Sequence, residues 1–153
     1  MHTAYKYRTL AHWTSGQTGL ATSDSVPVDI RFCAPPEFGG PEGYWTPEDL
    51  LLAALGSCFA ITFRGIAVRS KFEYSDLQVE VEGTVSKADS GYAFSEIIFR
   101  PALTIDDAAK RDRALSLLQK TKTACLVSKA LAAAPGLDPR LEVSPAVAVA
   151  GPQ

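Results

Sequence analysis

The sequence predicts an α+β protein in which antiparallel sheets pack around one long, buried central helix. Two observations carry this. Strand-like alternation occurs before residue 33 and again over residues 76–105, and an almost unbroken apolar run starts at Leu50. The 153 residues suit one domain, 1–153, long enough to bury a real core.

Residues 5–33 read as three strands. Tyr5, Tyr7, the Leu10 region and Trp13 alternate weakly, Ser15-Gly16 makes a turn, and Val26, Val28, Ile30 and Phe32 alternate with polar or turn residues. Residues 34–43 are dense in Pro and Gly, which predicts a sharp, ordered loop or lid anchored by Phe38, Tyr44 and Trp45. The helix start is well marked. Thr46 suits the N-cap, Pro47 the first helical position, and Glu48 and Asp49 the positive end of the dipole. Thr46 and Asp49 also have capping-box spacing, with Asp in place of Glu. From Leu50 the helix is apolar almost all round until Arg64 and Arg69, which predicts burial on every side.

Residues 76–87 alternate strictly, with Leu77, Val79, Val81 and Val85 on the inner face. A turn at 88–91 leads into a returning strand over 92–105, ended or edged at Pro101. Asp106 and Asp107 open a second helix with Ala108, Leu115, Leu117 and Leu118 inward, and residues 120–123 interrupt it. A shorter helix is predicted over 124–134, stopped by Pro135-Gly136, and a last strand over 141–149.

A net charge of −2 gives no reason to expect nucleic acid or an anionic membrane as partner. The first ten residues lack the apolar core of a secretory signal. The stretch 50–63 is too short for a bilayer core of ~30 Å, which takes about 20 residues. A soluble, cytoplasmic protein is expected. Three cysteines without short spacing are not a secreted disulfide framework, and with only His2 and His12 no set has zinc-ligand spacing, so no metal site is expected. Cysteine chemistry here points to redox or nucleophilic work. Cys58, in mid-helix, reads by position alone more readily as small apolar packing than as a reactive thiol. Cys125 is predicted in the first turn of its helix, where the dipole and unpaired N–H groups lower a thiol pKa, with Lys120 and Lys122 nearby. Cys33, at a strand end, reads as packing.

The run Trp45-Thr-Pro-Glu-Asp-Leu-Leu-Leu-Ala-Ala-Leu-Gly-Ser-Cys-Phe59 resembles the Pro-Glu-x-Leu…Ala-x-x-x-Cys-Phe signature of the OsmC/Ohr family, the osmotically inducible and organic hydroperoxide resistance proteins. Ala124-Cys-Leu-Val-Ser-Lys-Ala-Leu131 is similar to the family's later Cys-x-Val/Ile-Ser-x-x-Leu element, and the loop 35–40 looks like a variant of OsmC-like branches. The resemblance implies an OsmC-like, intertwined homodimer with sites at the subunit interface. It implies a thiol peroxidase with Cys58 attacking organic hydroperoxides, Cys125 resolving the product to a disulfide, and Glu48 serving the site. No bound cofactor is implied; an external dithiol such as a lipoyl group, or a small thiol, would restore the enzyme. Leu51, Leu55, Phe59 and Phe38 are candidate walls for the substrate's apolar tail. Glu48 lies ten residues before Cys58, ~15 Å along a helix and on a different side, so a shared site takes Glu48 from the other subunit.

The family's reductases hold the thiolate and peroxide with an arginine paired to a glutamate. One branch carries it in the first turn, where this chain has Ser15-Gly-Gln-Thr-Gly19 with Gln17; another carries it before the cysteine helix, where the nearest candidate is Arg31. Without that charge, a thiol in apolar surroundings is expected to have a raised pKa. The alternative function is an OsmC-like scaffold with little peroxidase activity that binds a small apolar ligand in the interfacial pocket.

Overall fold

The computed structural model describes residues 2–14 and 16–145. The chain is α+β, as the sequence predicts, and divides into two compact units, Met1–Leu51 and Leu52–Gln153.

In the first unit β1 (Leu10–Trp13), β2 (Thr18–Ser23) and β3 (Val26–Cys33) form an antiparallel sheet in that order. Residues 5–9, expected to be extended and paired, stay outside it; the β1–β2 pairing ends with Leu10 opposite Thr22. The alternating row on β3 points away from cover: Val26 is 50%, Val28 73% and Ile30 39% exposed. After β3 the chain makes a short 3-10 turn, Pro36–Phe38, and closes on itself at Gly40. A Cβ at Gly40 would sit 1.7 Å from the Ala34 carbonyl oxygen, so only glycine allows this closure. The Cys33 N–H donates to the Trp45 carbonyl at 3.0 Å, which fixes where the loop ends and the helix starts.

Helix α1 (Pro47–Arg69) begins with the capping box read from the sequence. Asp49 N–H donates to Thr46 Oγ1 at 3.1 Å, and the Thr46 N–H and hydroxyl donate to Asp49 Oδ2 at 3.1 and 2.8 Å. Burial on every side does not hold. Leu55, Phe59, Phe63 and Ile66 share one buried face, whereas Ile61 is 74% and Val68 66% exposed. Apolar composition specifies dry surroundings and not which molecule supplies them. Helix α1 has 23 residues, and an 18-residue window within it has a mean hydropathy of 1.8, so by length and composition it could cross a bilayer, more so than the 50–63 stretch predicts. One face of it is buried in this chain.

In the second unit β4 (Asp76–Ala88) and β5 (Gly91–Ile105) form a long hairpin. A register shift between Thr84 and Val85 leaves Val85 37% exposed, although the alternation predicts it inward. Pro101 does not end β5. It lies buried opposite Val79, between the stretch that pairs in parallel with β6 (Gly136–Leu137) and the stretch that pairs in parallel with β7 (Arg140–Val143). The missing N–H thus falls where neither added strand pairs. The last strand is shorter than the predicted 141–149; residues 146–149 lie outside the described ones.

Asp107 accepts the Ala109 N–H at 2.9 Å and starts a 3-10 turn, Ala108–Lys110, which leads into α2 (Arg111–Ala124). Ala114, Leu117, Leu118 and Thr121 are buried; Ala108 and Leu115, predicted inward, are exposed, Leu115 by 40%. No interruption occurs at 120–123. The helix predicted over 124–134 is replaced by a turn and a 3-10 segment, Ser128–Ala130.

Candidate active site

The second unit brings Cys58 and Cys125 together although 66 residues separate them in sequence. Cys58 sits half-buried in mid-α1, and Cys125 is fully buried at the C-cap of α2. The α-helix stops there because Cys125 takes φ −58° and ψ 114°, an extended conformation, after its N–H closes on the Thr121 carbonyl at 2.9 Å. The turn that follows uses its carbonyls backward: Lys129, Ala130 and Leu131 donate to Leu126, Val127 and Ser128. The N–H groups of Leu126 and Val127 have no backbone acceptor among the described residues, and both act to lower the Cys58 thiol. Thr62, one helical turn beyond Cys58, has its hydroxyl 4.0 Å from the same sulfur.

These donors decide the ionisation of the pair. Burial, the largest influence, pushes the Cys58 thiol up. The Val127 N–H, the Cys125 thiol, the Thr62 hydroxyl and the Leu126 N–H together outweigh it and hold Cys58 below its ordinary value. A raised Cys58 is therefore not what the structure gives. Hydrogen bonds to the anion do the work expected of a charge. Cys125 moves the other way. Burial raises it, the Ser128 N–H and hydroxyl oppose that, and the neighbouring Cys58 sulfur adds to the rise. The lowered Cys125 predicted from a helix start is thus corrected. Cys125 ends a helix, and the free amides just after it serve the other sulfur. Cys58 ionises first, and protonated Cys125 donates to it. Ser128 Oγ also donates to the Cys125 carbonyl at 2.9 Å, which ties the turn to the cysteine that begins it.

Of the remaining residues, Leu55 and Phe59 have no exposed surface, and the Phe59 ring packs on Phe99 with centroids 4.8 Å apart. Both belong to the buried face of α1 in this chain. In the first unit, Phe38 is 49% exposed in the loop and Leu51 half-buried. Arg31 is exposed on β3 and forms no ion pair among the described residues. Glu48, in the first turn of α1, has a buried Oε2 without a hydrogen-bond partner among the described residues. Cys33 is buried, and its thiol donates to the Pro41 carbonyl at 3.2 Å, consistent with packing. An open cleft of about 740 Å³ lies by Arg100, Asp138 and Arg140, contains neither thiol, and is polar where an apolar substrate site would be greasy. We give the thiol pair priority because it carries the reactive groups.

Sequence reasoning missed Thr62, Leu126, Val127 and Ser128. Two of these left a signal. Thr62 stands four residues after Cys58, on the same helix face, and Ser128 stands three after Cys125, the spacing of a cap. The amides left none, since any residue but proline supplies one.

Residues 39–139 match the family model described as OsmC-like protein. The chain is 32% identical over 124 residues to an uncharacterized protein, YmaD, of Bacillus subtilis, covering 79% of this chain and 83% of that one. It is 26% identical over 138 residues to Peroxiredoxin OsmC of Escherichia coli, covering 86% and 94%. Among solved structures, an organic hydroperoxide resistance protein from Elizabethkingia anophelis superposes with a TM-score of 0.75 at 20% identity, covering 94% of this chain and 100% of that one.

Proposed function

This chain belongs to the OsmC-like protein family, and from that premise and the thiol pair we propose that it reduces organic hydroperoxides through Cys58 and Cys125. The reading is supported by the mutual influence of Cys58 and Cys125, whose thiols are pushed below and above their ordinary values respectively. The Cys58 thiolate attacks the terminal peroxide oxygen. The O–O bond breaks, the alkoxide leaves and takes a proton to become the alcohol, and the sulfur becomes a sulfenic acid. The Cys125 sulfur then attacks the sulfenic sulfur, water leaves, and a Cys58–Cys125 disulfide forms. An external dithiol, a lipoyl group or a small-thiol pair, reduces it by exchange and is itself oxidised to a disulfide.

A second copy of the chain fits this reading. Ile61 and Val68 on α1 and Val26 and Val28 on β3 are open apolar side chains that a homodimer would cover. Glu48 of the second copy would then serve the thiol site, and its unpartnered Oε2 leaves room for a donor. Phe38 and Leu51 of the second copy would border the substrate's tail.

The test is rapid mixing of the reduced protein with an alkyl hydroperoxide, followed by thiol counting. The expected result is loss of two thiols per chain with Cys33 retained, and no loss in Cys58→Ser. Survival of both thiols in equimolar oxidant overturns the reading in favour of a scaffold that binds a small apolar ligand.

A further inference from the structure

The resemblance places an arginine where this chain has Gln17, and Arg31 is exposed without an ion pair among the described residues, yet the Cys58 sulfur is not left without donors. We propose that this chain stabilises the Cys58 thiolate with neutral donors, the N–H groups of Leu126 and Val127 and the hydroxyl of Thr62, which makes Thr62 and the 125–128 turn positioning elements of the thiol. The proposal deepens the peroxidase reading and rests on it for its use in catalysis.

Three features of the geometry support it. Thr121 and Thr123, the other threonines with helical back-bonds, give their hydroxyls to the carbonyls four residues earlier, Leu117 and Gln119. Thr62 instead has the Cys58 sulfur as its partner. The break at Cys125 frees two consecutive amides, which is more than a continuous helix would release in its middle. Ser128 then locks the turn through its bond to the Cys125 carbonyl, so the amides are held in place before any charge develops. The titratable group acting on Cys58 from this same turn is Cys125, and the largest influences lowering Cys58 are the neutral donors Val127, Thr62 and Leu126 together with the Cys125 thiol. Lys122 and Lys129 flank the turn in sequence, and their field is the competing source of thiolate stabilisation.

Two substitutions separate these possibilities. Leu126→Pro removes one N–H at low cost to the fold. Cys125 already has the extended ψ of 114° that precedes proline, and the Leu126 side chain is 73% exposed. Thr62→Val removes the hydroxyl at constant shape, and Thr62→Ser restores it. The readout is site-resolved alkylation of Cys58 against pH on the full reduced chain, with no peroxide present. Each deletion is expected to raise the Cys58 pKa by about 0.5 to 1, slowing alkylation near neutrality about three- to tenfold. Thr62→Ser is expected to return to the native profile, and ionic strength is expected to leave the native profile unmoved.

If Leu126→Pro does not fold, the Thr62 pair decides alone. Native titration in Thr62→Val, failure of Thr62→Ser to restore the profile, or a pKa that climbs with salt overturns the proposal; the last assigns the thiolate to the lysines. A chain inert to hydroperoxide whose Cys58 responds as described overturns the peroxidase reading and leaves this inference standing. An active chain with an unmoved Cys58 does the reverse.

Discussion

Cys125 has two roles that a pair of substitutions separates. On the proposed reading it resolves the sulfenic acid as a sulfur, and as a protonated neighbour it donates to the Cys58 anion. Cys125→Ser removes the first role and keeps a donor of similar size, whereas Cys125→Ala removes both. A hydrogen bond to a charged group contributes about 1.5–3 kcal/mol when well buried. Cys58 is half-exposed and keeps three other donors, so the lower end applies, about 1.5 kcal/mol, or roughly one pKa unit. Near neutrality the thiolate fraction of Cys125→Ala should therefore fall about tenfold below that of Cys125→Ser. The assay is stopped-flow trapping of the Cys58 sulfenic acid with a dione probe under limiting alkyl hydroperoxide. Both variants should stop at the sulfenic acid, with Cys125→Ser forming it near the native rate and Cys125→Ala about tenfold slower. Equal rates in the two variants would refute the donor role, and disulfide formation in either would refute the assignment of the resolving sulfur.

Thr46→Ala deletes the capping box at the start of α1 and should cost about 1 kcal/mol in urea unfolding, with the m-value unchanged. Phe59→Ala empties a fully buried position against Phe99 and should cost about 3–5 kcal/mol by the same measurement. Ile61→Glu places a charge on the open apolar face of α1; sedimentation should show a dimer for the native chain and a monomer for the variant, and a native monomer removes the case for a shared site. The thiol pair should also shape stability against pH. Cys58, lowered on folding, adds stability as pH rises from its folded value to the ordinary thiol value, because the unfolded chain then holds more protons. Cys125, raised on folding, withdraws stability as pH climbs from the ordinary value through its own. Denaturant titrations should show a hump around the ordinary thiol pKa that flattens in the doubly substituted Cys58→Ser, Cys125→Ser chain.

Much of the architecture was legible because it rests on local rules. Thr46 and Asp49 announce the start of α1 through bonds that involve only residues three apart. The strands of the β4–β5 hairpin alternate because one row of Leu77, Val79 and Val81 must face inward. The two cysteines were legible through their motifs. What stayed hidden depends on contacts distant in sequence. Residues 124–134 are rich in Ala and Leu and read as helix by propensity. The chain breaks at Cys125 all the same, and the amides freed by the break go to a sulfur 66 or more residues earlier. The same limit applies to α1 and β3. Periodicity and composition identify apolar faces, and exposure at Ile61 and Val28 shows that one copy of the chain does not cover them.

The opposite shifts of the two thiols follow from one piece of geometry. A single donor cannot lower both sulfurs, since an anion at one raises the other by repulsion, and the pair therefore needs something to choose between them. The turn chooses. Its Leu126 and Val127 amides go to Cys58, while Cys125 is buried at the helix end with Ser128 as its partner. Cys58 is also the half-buried member of the pair, whereas Cys125 is buried. On the proposed peroxidase reading, the backbone of residues 125–128 would set which thiol attacks and which resolves. A substitution that straightened this turn into the helix predicted over 124–134 would take the amides from Cys58 and leave both cysteines in place. Such a chain should count the same three thiols, with Cys58 no longer held below its ordinary value.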